Sequence, residues 1–251
     1  MVQKVSRLYI PQVFQAKTCL VLDKNQSHYL TVVMRCKEKD KVHVFNGRDG
    51  EWLAEISKPD KNAVQLKLIN QRLEQPESED IWLLFSPLKK ERTDYAVEKA
   101  SELGVKKIIP TRMRHSNNGH CRIDRLKALA IEASEQCERL GIPEIEERQD
   151  LEKVLVDWPQ KRLLLVCVER FAGKIQRKPL LPLLMQYIQN PIAFAIGPEG
   201  GWHSDEIAFL AQKPYVRFVS LGTHVLRAET AVVSALSAFH LVRSGMDLLY
   251  S

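Results

Sequence analysis

Ile192-Ala-Phe-Ala-Ile-Gly-Pro-Glu-Gly-Gly-Trp-His-Ser-Asp-Glu-Ile207 passes from five apolar residues into a glycine-rich turn and then into a helix start. The apolar run does not alternate with polar residues, which is the pattern of a strand covered on both faces. Glycines at 197, 200 and 201 let the backbone come close to a neighbour or a ligand. Ser204 suits the N-cap of the helix that follows, with Asp205 and Glu206 in its first turn. In open α/β sheets, ligands bind beyond the carboxyl ends of the strands. This turn is therefore the first candidate site.

A second stretch has the same form. Val216-Arg-Phe-Val-Ser-Leu221 reads as a strand, leaves at Gly222 and enters a last helix through Thr-His-Val-Leu-Arg-Ala-Glu229. Neither stretch is a familiar nucleotide loop. The G-x-x-x-x-G-K-[ST] pattern is absent, and Gly197-Pro-Glu-Gly-Gly201 lacks the G-x-G-x-x-G spacing. Spacing alone leaves two readings open: the loops form a shared pocket, or their glycines only make tight turns.

Outward from these stretches, strand and helix alternate. Ile81-Trp-Leu-Leu-Phe85, Val105–Ile109 and Leu163–Val168 read as further strands. Residues 91–103 read as a helix closed by Gly104. A longer helix is expected from about Asp124 to Leu140, with an apolar stripe of Leu126, Leu129, Ala130, Ala133, Cys137 and Leu140. Glu229 to Ser244 reads as the closing helix. The alternation predicts an α/β domain with a mainly parallel sheet over residues 81–251. The first 72 residues differ. Short strands at 19–22, 41–45, 51–56 and 63–69, with a hairpin turn at Asn46-Gly-Arg-Asp-Gly50, predict a small β-barrel. The polar stretch from about residue 70 to 80, with Pro76, marks the boundary, and 73–80 is taken as the linker.

The chain of 251 residues carries a net charge of +6, with 45% apolar and 27% charged residues. A basic balance favours polyanionic partners. No apolar run approaches the roughly 20 residues that span a bilayer, and the N-terminus has no signal-peptide pattern, so a cytoplasmic location is expected. Cys19, Cys36, Cys121, Cys137 and Cys167 are odd in number and contain no C-x-x-C pair. Reduced thiols are expected rather than disulfides. The spacing of His115, His120 and Cys121 fits no standard zinc site, so no metal is expected.

Gly197-Pro-Glu-Gly-Gly201 together with Leu221-Gly-x-x-Val-Leu-Arg-x-Glu-Thr-Ala231 resembles the cofactor-binding signature of the RsmE family. Glu98-Lys-Ala-Ser-Glu-Leu-Gly104, Glu132-Ala-Ser-Glu-Gln-Cys137 with Arg139 and Pro143, and Arg7-Leu-Tyr9 with His28-Tyr-Leu and Met34-Arg35 match as well. The resemblance runs over essentially the whole chain, in order. It is weakest from Glu169 to Asn190, and His224 and Val225 depart from the family's usual residues.

The resemblance implies a SPOUT α/β-knot methyltransferase domain, its last loops forming a trefoil knot, behind an N-terminal PUA-like β-barrel that assists RNA binding. It implies S-adenosylmethionine-dependent methylation of N3 of a uridine in 16S ribosomal RNA, in the decoding region of the assembled 30S subunit, by a homodimer. Cys167, Gly197, Gly200, Leu221, Gly222, Val225, Leu226 and Thr230 would then bind the cofactor. Two other readings stand beside it: a SPOUT enzyme with another RNA target, such as a ribose 2′-hydroxyl or another base, and an RNA-binding ribosome-assembly factor without catalysis.

Removing the N3 proton of uracil spreads negative charge over its carbonyl oxygens. A cation stabilises that charge, and Arg227 is the candidate. A carboxylate accepts the proton, with Glu199 and Glu229 as candidates. The bland alternatives stay open: Arg227 paired with Glu229, Glu229 as a helix-dipole acid, Glu199 as a turn residue, and solvent as the base. Phosphate contacts are expected from Arg7, Arg35, Lys89, Lys90, Arg92, Arg112, Arg114 and Arg122, with Thr111–His120 read as a basic loop.

Overall fold

The computed structural model describes residues 6–116, 121–168 and 176–250, the side chains of the last five excepted. The chain divides into two units. One comprises residues up to Ser78 together with Ser134–Ile142, the other Glu79–Ala133 with Pro143 onward.

The first unit is a curled five-stranded sheet. Its strands are β1 (Ser6–Tyr9), β2 (Cys19–Val21), β3 (Lys41–Phe45), β4 (Glu51–Lys58) and β5 (Gln65–Leu73), in the order β1-β3-β4-β5-β2. β1 runs parallel to β3, and the other pairs are antiparallel. β1 and β2 lie at the two edges and do not pair with each other among the described residues, so the expected barrel is a half-barrel. Alternate residues face one core, with Val42, Val44, Ala54, Ile56, Leu66 and Leu68 buried. A short helix α1 (Lys24–His28) and a π-helical turn (Tyr29–Val33) follow β2. The periodicity of the strands does not announce them. Buried Ser27 ties this turn to the sheet, its Oγ accepting from the Val64 amide at 2.9 Å.

The hairpin at 46–50 forms as expected. Asn46 Oδ1 accepts from the amides of Arg48 and Asp49. Gly50 has φ +75°, and a Cβ there would lie 2.1 Å from the Leu73 carbonyl oxygen. Only glycine fits. That contact belongs to β5, which continues through Asn70–Leu73, residues whose polarity suggests a boundary. They are polar because they are solvent-facing strand, and the irregular segment is 74–80.

The second unit is a parallel sheet with helices on both faces. Its strands are β6 (Ile81–Phe85), β7 (Lys107–Arg112), β8 (Glu144–Ile145), β9 (Gln149–Asp150), β10 (Leu163–Cys167), β11 (Lys178–Pro179), β12 (Ile192–Ile196) and β13 (Val216–Ser220). The order is β11-β13-β10-β12-β6-β7-β8, with β9 also on β7. Helices are α2 (Lys90–Glu102), α3 (Ile123–Gln136), α4 (Leu151–Val154), α5 (Leu180–Tyr187), α6 (Ser204–Ala211) and α7 (Ala228–Tyr250).

The apolar run of β12 explains the layering. All five residues are buried. Ile192, Phe194 and Ile196 join the core formed with α2, α5 and α7, whereas Ala193 and Ala195 join the opposite core with Leu155, Ile207 and Leu210. A strand that must satisfy two apolar faces cannot alternate in polarity. α3 ends at Gln136 rather than Leu140, because Glu138 takes a left-handed φ of +61° and Cys137 turns outward. No helix of the described residues is long and apolar enough to cross a membrane.

Arg162 pins the amino end of this sheet. Its guanidinium donates to the backbone oxygens of Asp80 and Ile192 at 2.8 and 3.2 Å, pairs with the Asp80 carboxylate and lies 3.7 Å over the Trp82 ring. Desolvation lowers its pKa, but the charge-assisted bonds hold it in place. Arg162→Ala strips three bonds, one from the buried Ile192 oxygen and two from half-buried Asp80 oxygens. It is expected to destabilise this unit by roughly 3 kcal/mol, read as a lower denaturant midpoint at unchanged m-value.

Candidate active site

β13, β10 and β12 are neighbours in the sheet and parallel, so their carboxyl ends emerge side by side. Three segments leave there: Cys167–Val168, Gly197–Trp202 and Ser220–Ala228. They enclose a cavity of about 480 Å³, within the range of small-molecule sites. Cys167, Gly197, Glu199, Gly200, Leu221, Gly222, Val225, Leu226 and Arg227 all line it. Thr230 does not; it is exposed on α7. Glu229 stands behind the wall.

The glycines are needed for contact as well as for turning. A Cβ on Gly197 would lie 2.9 Å from the Trp202 indole nitrogen, and one on Gly200 would lie 2.9 Å from His115 Cβ. Trp202 in turn donates from Nε1 to the Cys167 carbonyl at 2.9 Å, joining the loop of β12 to the end of β10. Gly222 has φ +135°, and a Cβ there would meet no heavy atom within 4 Å, so its backbone borders open space. Ser220 Oγ donates to the Gly222 carbonyl at 2.9 Å and closes that turn.

Arg92, in the first turn of α2, lines the same cavity. Its Nη1 lies 3.7 Å from Glu199 Oε1 and its Nε 3.6 Å from Glu229 Oε1. The Glu229 side chain is 13% exposed, and its Oε2 is buried without a hydrogen-bond partner. The cation facing Glu229 is thus Arg92. Among the described residues no ion pair joins Arg227 to Glu229, and Arg227 is exposed at the cavity rim. The sequence places Arg92 among the phosphate contacts. The cue to its actual position is that it follows just past β6, the strand next to β12. Trp202 is a lining residue that the sequence reading misses, although an aromatic directly after Gly-Gly is a usable signal.

The N-cap of α6 is His203 rather than Ser204. His203 Nδ1 accepts from the Asp205 amide at 3.2 Å, and the Glu206 carboxylate accepts from the His203 amide at 3.0 Å. Imidazole competes successfully here because Glu206 returns the second bond of a capping box. Glu206 is 3% exposed and also accepts from the Arg114 amide at 2.8 Å. His115 Nδ1 sits 3.0 Å from the Gly201 carbonyl and its ring meets His203 edge-on. The residues after β7 therefore brace the glycine loop.

The other phosphate candidates are scattered. In the first unit Arg7 is buried, 3.0 Å from Glu51 and 4.8 Å over the Phe45 ring; burial lowers its pKa. Arg35 is exposed with φ +55°. In the second unit Arg112 pairs with Asp150, and Arg114 lies 3.6 Å from Asp205. Lys89, Lys90 and Arg122 are exposed around another cavity. No metal-competent cluster occurs among the described residues. His120 and residues 117–119 of the basic loop lie outside them.

Glu206→Ala leaves two loop amides without their acceptor. It is expected to cost about 2–4 kcal/mol and to speed hydrogen exchange at His203 and Arg114, with β12 amides unchanged.

Known proteins share both units. Residues 75–240 match the RNA methyltransferase domain family, and residues 22–69 match the RNA methyltransferase PUA domain. Ribosomal RNA small subunit methyltransferase E of Rickettsia conorii is 31% identical over 242 residues, 96% of this chain and 97% of that protein. A Legionella pneumophila protein solved with SAM (S-adenosylmethionine) bound is 27% identical, with a TM-score of 0.80 over 95% of this chain and 98% of that one. The ribosomal RNA small subunit methyltransferase E of Neisseria gonorrhoeae, at 24% identity and a TM-score of 0.79 over 95% and 98%, shares the fold.

Proposed function

The chain belongs to the RNA methyltransferase family that includes ribosomal RNA small subunit methyltransferase E, and from that membership we propose that it methylates N3 of a uridine in 16S ribosomal RNA with S-adenosylmethionine as donor. Its domains are a PUA domain and a SPOUT-type α/β domain. The fuller reading takes the substrate as the decoding region of the assembled 30S subunit, the site of action as the cytoplasm and the active form as a homodimer. It takes the loops of the last strands to be threaded as a trefoil knot. It takes the PUA-like domain as 1–72, the linker as 73–80 and the methyltransferase domain as 81–251.

One observation carries this reading: the cavity at the carboxyl ends of β10, β12 and β13, with cations and carboxylates at its edge. Its size suits a nucleoside-sized cofactor. The chain approaches as bare backbone at Gly197, Gly200 and Gly222, where a peptide edge can meet a ligand's polar groups. In this reading Leu221, Gly222, Val225 and Leu226 hold the adenine, Cys167 with Gly197 and Gly200 border the ribose and methionine, and Thr230 lies at the edge. Bound S-adenosylmethionine supplies a sulfonium methyl.

The protein's own tasks are then three. It holds an unstacked uracil with N3 in line with the methyl carbon at about 3–3.5 Å. It removes the N3 proton. It stabilises the charge that appears on the two ring carbonyls. Arg227, exposed at the rim, is assigned to that charge. Glu199 lines the cavity and is assigned to the proton. Glu229 is assigned to holding Arg92, which stands 3.7 Å from Glu199 and orients it.

Nucleoside mass spectrometry of small-subunit RNA treated with enzyme and donor is expected to show 3-methyluridine; a ribose-methylated or differently methylated nucleoside would replace the N3 assignment. Arg227→Ala is expected to lower kcat by about 10²-fold or more, with affinity for S-adenosylhomocysteine nearly unchanged by calorimetry. Equal losses in both would reject its catalytic role.

A further inference from the structure

A second cavity, of about 490 Å³, opens beside the first turn of α2. Its floor is apolar, made by buried Pro87, Leu88 and Leu126. Its rim is cationic, with Lys89, Lys90, Arg122 and Arg125. One lining carboxylate opposes them, Asp94, and both its oxygens accept from the Arg125 guanidinium. Among the described residues no ion pair engages the side chains of Lys89, Lys90 or Arg122. Three exposed like charges thus border an apolar recess, and a cleft lined by one sign of charge attracts the opposite one.

The shape of the recess narrows the class of ligand. A free anion needs the cations and has no use for an apolar floor. An alkyl chain needs the floor and gains nothing from the cations. A nucleotide needs both. The Asp94 fork fixes the plane of Arg125, and a fixed guanidinium plane is a stacking surface for an unpaired base. Position adds to this. Arg92 of the same helical turn lines the first cavity, so the two recesses stand on either side of one helix, about 10 Å across with its side chains.

We propose that this second cavity takes a nucleotide that neighbours the reacting uridine in the same RNA strand. The base lies on Leu88 and Leu126 and against Arg125; the phosphate sits among Lys89, Lys90 and Arg122. The inference rests on the RNA reading above and deepens it, since the cavity selects single-stranded RNA whose neighbouring base can unstack.

Cys121 lines the cavity and reports its occupancy. Burial raises its thiol pKa, so alkylation is slow and further shielding is measurable. Exposed Cys19, in the other unit, is the internal reference. Full-length protein with S-adenosylhomocysteine is alkylated with iodoacetamide, with and without a short single-stranded oligouridylate, and each peptide is quantified. The oligonucleotide is expected to slow Cys121 modification several-fold and leave Cys19 unaffected. K89A/K90A/R122A is expected to abolish the shielding and to flatten the plot of log affinity against log salt by about 2, from three contacts at roughly 0.7 each. Arg125→Lys keeps the charge, loses the plane and is expected to weaken shielding at an unchanged salt slope. The charge-matched K153A/K161A/K178A is expected to bind as the parent does.

Shielding by inorganic phosphate equal to that by the oligonucleotide would overturn the nucleotide reading, as would shielding that survives the triple substitution. Formation of 3-methyluridine without any shielding of Cys121 would retire this site alone. Shielding without any methylated nucleoside would sustain the site and retire the proposed reaction.

Discussion

One indole hydrogen bond sets the geometry on which the site depends. Trp202 Nε1 donates to the Cys167 carbonyl, fastening the turn after β12 to the end of the adjacent strand. The indole can reach that carbonyl because residue 197 has no side chain; a Cβ there would press on the ring at 2.9 Å. Strand order brings three carboxyl ends together, but a row of strand ends is only a ledge. The Trp202 bond folds one loop over the ledge, and the Gly222 turn, closed by Ser220, borders the other side. Backbone then lines part of the recess, and at Gly197 and Gly200 an added Cβ would clash with Trp202 and His115.

Electrostatics follow from that enclosure. Arg92 comes from α2 rather than from either glycine loop, and it faces two carboxylates at distances too long for direct hydrogen bonds. Such a cluster is held by charge and can rearrange when a ligand enters. Glu229 is mostly buried, 13% exposed, and its nearest cation is Arg92.

Much of this was legible in the residues. β12 announced itself because both its faces are apolar, and the parallel sheet, the small strand-rich unit and the two glycine loops followed from similar patterns, although that unit closes only as a half-barrel. The glycine loops were legible as candidates because a buried strand running into Gly-Pro-Glu-Gly-Gly either lets backbone approach a ligand or merely turns, and the cavity they line favours the first. What escaped was set by tertiary contact. Asn70–Leu73 look like a linker because this end of β5 runs past the core and is exposed. His203 outcompetes Ser204 as N-cap only through Glu206, a residue whose second bond goes to Arg114, far along the chain. Arg92 reads as one more surface cation until strand order places it beside β12. Arg7 reads the same way, yet is buried against Glu51 and Phe45.

The close approach of Gly200 to His115 reaches beyond this molecule. With a Cβ at position 200 the His115 Cβ would be met at 2.9 Å, so the backbone at 115 would have to shift, and with it the ring's contacts to Gly201 and His203. The two positions are therefore not free to drift separately. Over evolutionary time a side chain at 200 is tolerated only alongside glycine at 115 or a shift of one backbone, so position 200 should stay glycine wherever residue 115 carries a side chain.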